Sequence, residues 1–406
     1  MPLFPDKDIQ VRPFGPAQQR KPRYYVSCQW APLPRPFHRW RPPMSLPFHP
    51  LETDLFARAQ WLLDPEWLAR DPDLAPVLPT VLARNVGQDW HKAGTFRHHL
   101  VGVARSLSLW QQPRDVRLLG LLHSVYGNAF VDLVKFDPAR ERAQMRELVG
   151  ESAEHLVYLF CTRSRTQFVQ RVLAQALQAD GSLVLEQGDG RHLLTPYEVA
   201  VFIIVTMADA IEQWFSWQDD VYSGFPRLEP QRQQAVHWAA SLWPGPMRPT
   251  GRMLQQISAL AQALQHPGLK QLLPLPPVFA HCSQRLSASD EAAATALYWS
   301  VIAQEHPLLD PDVATNMLES AVRHNPWVGE PQMVLAQLYL AAGRKDEAKL
   351  AAASALQLFS AWGNSWDKRV QWDAWVAWTR ILLQGATVDG AWPERLDKLN
   401  NVALRH

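Results

Sequence analysis

The sequence predicts an all-α protein. Three observations carry this. Apolar residues recur at helical spacing through most of the chain beyond residue 50, prolines gather in a few dense clusters, and only one stretch reads as paired strands. Apolar residues make up 47% of 406, which is ample for a large core and excludes an intrinsically disordered chain. The length suggests two domains, or three.

In chain order, residues 1–50 hold twelve of the thirty-three prolines, too dense for a helix or a central strand. Their interleaved aromatics, Trp30, Phe37 and Trp40 among them, point to an extended arm lying on a globular body. Residues 51–270 read as one helical domain. Leu100, Val103, Ala104 and Leu107 step along one helix face, and Leu118–Leu122 is apolar nearly all round, as a buried helix is. Leu148, Leu156, Val157, Leu159 and Phe160 mark a further helical stretch. Ser182–Leu185, Gly188-Asp189-Gly190 and His192–Leu194 form the pattern of a small β-hairpin. Thr195-Pro196-Tyr197-Glu198 then restarts a helix, with Thr as N-cap, Pro at the first position and Glu at the third. After Pro244-Gly245-Pro246, the run Leu273-Pro274-Leu275-Pro276-Pro277 places a proline-rich linker at 271–292. Residues 293–406 read as a second helical domain with an internal period. Ala314 and Ala348 lie 34 residues apart, as do Ala321 and Ala355, with Gly343 between two helical stretches.

Composition narrows function by exclusion. Lys plus Arg is 40 against 39 acids, a net charge of +1, so no basic footprint for nucleic acid or an anionic membrane is expected. Cys28, Cys161 and Cys282 are far apart and form no C-x-x-C, which argues against a disulfide framework or a structural zinc site and for a reducing compartment. The first ten residues lack the apolar stretch of a signal peptide. The longest apolar run, Val199–Val205, is too short for a bilayer, and the expected location is cytoplasmic. Eighteen tryptophans call for large aromatic contacts within or between domains.

Chemistry is expected where polar groups interrupt buried helices. His99 shares a face with Val103 and Leu107, whereas His98 points about 100° away. His123 ends the most apolar helix, and Gly127 can supply a stop with φ > 0. Asp209 follows the Val199–Val205 run, with Glu212 one turn on. A carboxylate inside a buried helix is costly unless paired or metal-bound, and two imidazoles with one carboxylate from three helices would meet that need together.

That pattern resembles the HD superfamily of all-helical metal-dependent phosphohydrolases, whose scaffold also carries iron oxygenases. His99, His123 and Asp209 match its first, second and last motif positions. Arg97-His98-His99-Leu100, Leu122-His123-Ser124-Val125-Tyr126-Gly127 and the stretch 150–161 look like an uncharacterised HD-like family marked by His-Ser-x-Tyr-Gly, over about residues 80–220. The chain departs from the superfamily at Ser124, where HD proteins carry the Asp that contacts the metal and bridges two ions. The resemblance therefore implies a single divalent ion, Fe(II) favoured, with Mn, Ni or Zn as alternatives, on His99, His123 and Asp209. Ser124, His155 and Glu212 are read as additional ligands or supports to the ligands, Tyr126 as the catalytic group, and Arg163 and Arg165 as substrate-binding. Tyr339, Gly343, Ala348 and Ala355 resemble tetratricopeptide repeat positions, which implies a protein partner. The expected function is a mononuclear iron oxygenase acting on a small or peptide-linked substrate. The alternatives are a metal-dependent phosphohydrolase and a non-catalytic interaction protein with a degenerate HD site.

Overall fold

The architecture is given by a computed structural model, which describes residues 51–91, 94–127, 134–187, 190–213, 253–280, 285–302 and 310–387. The expected arm at 1–50 and the Pro244–Pro246 cluster lie outside the described residues. Among those described there are fifteen α-helices, so the molecule is mostly helical, as the apolar spacing predicts.

Helices α1 (Leu51–Leu62), α2 (Trp67–Arg70) and α3 (Leu78–Leu82) lead to a hairpin of two-residue strands, β1 (Trp90–His91) and β2 (Gly94–Thr95). This second hairpin was not expected, because two residues are too few for an alternating pattern to be read. Helix α4 (Phe96–Leu109) starts on a cap in which Thr95 Oγ1 accepts the His98 N–H at 3.3 Å, with the His98 ring folded back toward the Thr95 amide. That cap takes His98 out of the core and turns His99, one residue later, inward. Helix α5 (Arg114–Leu122) buries Leu118–Leu122 completely, and the chain leaves it through His123 and a turn that ends at Gly127 with φ +78°. Helices α6 (Arg142–Val149) and α7 (Glu151–Thr162) follow, broken at Gly150, and then α8 (Arg165–Leu173).

Strands β3 (Leu183–Gln187) and β4 (Gly190–Leu194) pair antiparallel from Leu183 opposite Leu194 to Gln187 opposite Gly190, the hairpin that the sequence predicts. Helix α9 (Pro196–Gln213) begins on the expected capping box: Thr195 Oγ1 accepts from Glu198 N at 3.3 Å and Glu198 Oε2 accepts from Thr195 N at 2.8 Å. Its residues Val199–Asp209 are all buried, and α4, α5, α7 and α9 pack on one another as the core of this half.

Helix α10 (Met253–Ala263) and a 3-10 turn at Pro277–Ala280 precede α11 (Ala288–Ile302), which begins inside the stretch read as linker. Helices α12 (Pro311–His324), α13 (Glu330–Ala341), α14 (Lys345–Trp362) and α15 (Trp372–Thr387) then pack in succession. Ala348, Ala352 and Ala355 are fully buried, which lets neighbouring helices approach closely.

Tryptophans join the two halves. The Trp110 indole N–H donates to Ala361 O at 3.1 Å, and its ring lies 6.4 Å from Trp362. Trp362 in turn donates to Trp327 O at 2.6 Å, and Phe279 of the 3-10 turn packs edge-on to Trp327. Among the described residues no helix is long and apolar enough to cross a membrane.

Candidate metal centre

Three helices deliver three ligand-type side chains to one point. His99 comes from α4, His123 from the C-cap of α5 and Asp209 from α9, and all are buried, at 3%, 0% and 6% exposed. His99 Nε2 lies 3.0 Å from His123 Nε2 and 3.3 Å from Asp209 Oδ1, and His123 Nε2 lies 3.6 Å from Asp209 Oδ1. A triangle with those edges has a circumradius of about 1.9 Å, so a point at the roughly 2.0–2.2 Å of a metal–ligand bond lies just off its plane. The donor set therefore fits one divalent ion without rearrangement of the backbone, and the three residues can hold a metal ion as a group.

The surroundings orient each donor. His123 Nδ1–H donates to Gly120 O at 2.8 Å, which leaves its Nε2 lone pair facing the other two ligands. His99 Nδ1–H donates to Glu212 Oε2 at 2.5 Å, the arrangement that fixes the ring of a metal-binding histidine. Glu212 reaches His99 across Gly102, where an added Cβ would stand 2.8 Å from the Glu212 Cγ, so α4 has a glycine at the crossing. Asp209 accepts from the Gln213 amide at 2.6 Å through Oδ1 and from the Arg165 guanidinium through Oδ2.

Charge follows from that geometry. Burial disfavours the imidazolium of His99, but Glu212 and Asp209 outweigh it and hold its pKa up at about 9. Burial pushes His123 down to about 4; Asp209 opposes this, whereas the charges on His99 and Arg165 add to it. Burial alone would raise Asp209, yet Arg165 and the two imidazoles hold it well below the usual carboxylate range. With no ion bound, one proton on His99 sits where a cation would sit, between two imidazoles and a carboxylate.

The other candidate residues have partners of their own. Tyr126 is not placed to act at the trio: its hydroxyl donates to Glu154 Oε1 at 3.1 Å, and Glu154 is itself clamped by Arg142 at 2.7 Å. Burial and the Glu154 carboxylate raise the phenol well above its ordinary pKa. His155 is not a ligand either; it stands on the half-exposed side of α7 and pairs with Glu198 at 2.9 Å. Arg165 pairs with the Asp209 carboxylate and lies over the Phe160 ring. Arg163 lies 3.2 Å from His192 of β4. Ser124 is buried beside His123, as its position predicts. Cys161 donates to His123 O at 3.2 Å, and burial pushes its thiol up to about 12.

Two groups at the site escaped sequence reasoning. Gln213 follows Glu212 and carries no pattern signal. His91 stacks on His99 with ring centroids 4.4 Å apart, and it reaches there only through the unread β1–β2 hairpin.

A family model described as a domain of unknown function, DUF6817, matches residues 80–165. That span takes in His99, His123, Ser124 and Tyr126 but stops short of Asp209. No curated protein and no solved structure matches the chain.

Proposed function

We propose that this protein is a metal-dependent enzyme of HD-like type, with one divalent ion on His99, His123 and Asp209. The observation that carries the reading is the convergence of three buried donor atoms, from three helices, within 3.6 Å of one another. Two imidazoles and one carboxylate are the donor set of mononuclear Fe(II) oxygenases, so iron is the favoured ion and oxygenation of a small or peptide-linked substrate the leading activity. Hydrolysis of a phosphorylated substrate by the same donors is the alternative chemistry. A bound ion would supply Lewis acidity and, as iron, redox capacity, at donors that are buried from bulk water.

The protein's own groups do the rest. Glu212 holds the His99 ring through Nδ1 and keeps that proton while Nε2 gives up its own. Gly120 O holds the proton of His123 on Nδ1. Arg165 and Gln213 fix the Asp209 carboxylate in one orientation and keep it ionised.

A second reading rests on Arg165. Its ion pair with Asp209, together with the direct contact between the imidazoles, satisfies the buried polar groups with no ion present. The protein would then be non-catalytic, working through its tetratricopeptide-like helices. Elemental analysis of protein purified without chelators separates these readings. Iron near one equivalent supports the oxygenase, and manganese, nickel or zinc the hydrolase. No metal, and none taken up on addition of Fe(II) or Mn(II), leaves the second reading.

A further inference from the structure

Helix α4 carries its inward face past the trio. His99, Gly102, Arg105, Ser106 and Leu109 lie along one side, and the first two meet Glu212. Arg105, six residues or about 9 Å along the axis from His99, meets the loop between α14 and α15. Its Nε donates to Gly363 O at 3.2 Å, and its guanidinium covers the Trp372 ring at 4.7 Å. Gly363 presses against Leu109 and Ser106, where an added Cβ would stand 2.7 Å from Leu109 Cδ2. The loop from the repeat-like half thus closes over the α4 face next to the trio.

What the loop brings is cationic and donor-rich. Lys368 donates to Asn364 Oδ1, and among the described residues neither Lys368 nor Arg105 makes an ion pair. Asn364 is 4% exposed; its Oδ1 accepts from Lys368 and from Ser365 N, which assigns that oxygen as the acceptor and leaves Nδ2 as the donor. That Nδ2 has no partner, and neither has the fully buried Ser106 Oγ. Two cations and a buried amide donor without a partner are the composition of an anion site. Burial pushes the Lys368 ammonium down to about 8, with Glu212 opposing and Arg105 adding, so both cations feel the carboxylate that supports His99.

We propose that Arg105, Lys368 and the amide of Asn364 form an oxyanion site, phosphate or carboxylate, for the far end of the molecule that reacts at the trio. The inference rests on the metal-centre reading for the reacting end, though not for anion binding itself. It gives the second half of the chain a role in recognition: it completes the site of the first. The substrate class that follows is a small molecule carrying an anionic group at the end remote from the reacting atom.

Thermal melts of the full chain in inorganic phosphate, and separately in acetate, at ionic strength matched with chloride, test this. Saturable stabilisation by one of them is expected, and which one does so tells phosphate from carboxylate. Lys368→Met should weaken that binding at least about tenfold, and Lys368→Arg should keep it within a few-fold. Asn364→Ala should weaken it without removing a charge. His123→Ala, which removes a trio ligand, should lose metal uptake and keep anion binding, so the two proposals fail separately. No stabilisation by either anion overturns the site. So does stabilisation unchanged in Lys368→Met, or lost in His123→Ala and kept in Lys368→Met, which would put the anion at the trio.

Discussion

His99 is the residue on which the chemistry turns, because a proton and a metal ion compete for its Nε2. Its pKa is raised from 6.5 to about 9 in the folded protein, so at neutral pH the imidazole is charged. A group raised in this way stabilises the metal-free fold fully below about 6.5, and that contribution is lost as pH rises through about 9. Metal uptake has the opposite sign, since the ion must displace the Nε2 proton. Affinity for Mn(II), followed by titration calorimetry, is expected to rise about tenfold per pH unit below about 9 and then level off, with close to one proton released per ion. The neighbouring position gives a second test. Ser124 directly follows His123 and is buried, so under the proposed function Ser124→Asp adds an anionic ligand beside His123. The variant is expected to bind Mn(II) more tightly than the parent. Without metal it should melt lower, by about 1–3 kcal/mol, because the new carboxylate is buried. A lower melt not rescued by Mn(II) counts against a metal at the trio.

At the scale of elements, the local signals in the sequence carried well and the cross-helix ones did not. The capping box of α9 and the all-round apolar face of α5 are encoded within a few residues, so they are readable; the cap of α4, with His98 at its third position, lacks the usual Glu or Gln and is not. His99, His123 and Asp209 were legible for a related reason: each breaks an apolar pattern that a buried helix otherwise keeps. What pairs with what was not legible. Arg165 reads as a substrate-binding group, and nothing local to it names Asp209 of α9 as its partner. Tyr126 reads as a group at the site until α7 brings Glu154 to its hydroxyl. His155 lies one turn from Glu151, and the helix period alone does not say which side faces the core. Gly102 shows how tightly the docked elements meet. Gly102→Ala puts a methyl against Glu212 Cγ. It is expected to cost about 1–3 kcal/mol in a denaturant melt and, by loosening Glu212, to weaken metal binding about 10–100-fold. Gly87→Ala, with nothing within 4 Å, serves as a control in which neither should change.

The whole molecule is more integrated than its proline clusters suggest. A proline run predicts a break in helices, and it delivers one, but it says nothing about what packs across it. Here Phe279, two residues past that run, packs on Trp327 and Trp362, while Trp110 from the first half bonds to Ala361 in the second. Three of the eighteen tryptophans, Trp110, Trp327 and Trp362, thus lie at this joint. That joint sets the α14–α15 loop against Arg105, Ser106 and Leu109 of α4, the helix that carries His99. The proposed function requires that the trio hold one ion. Crystals grown with Mn(II) and examined for its anomalous scattering test this most directly. A single peak is expected, roughly 2.0–2.2 Å from His99 Nε2, His123 Nε2 and an Asp209 oxygen. A map with no peak there, and with the two imidazoles still in direct contact, would contradict it.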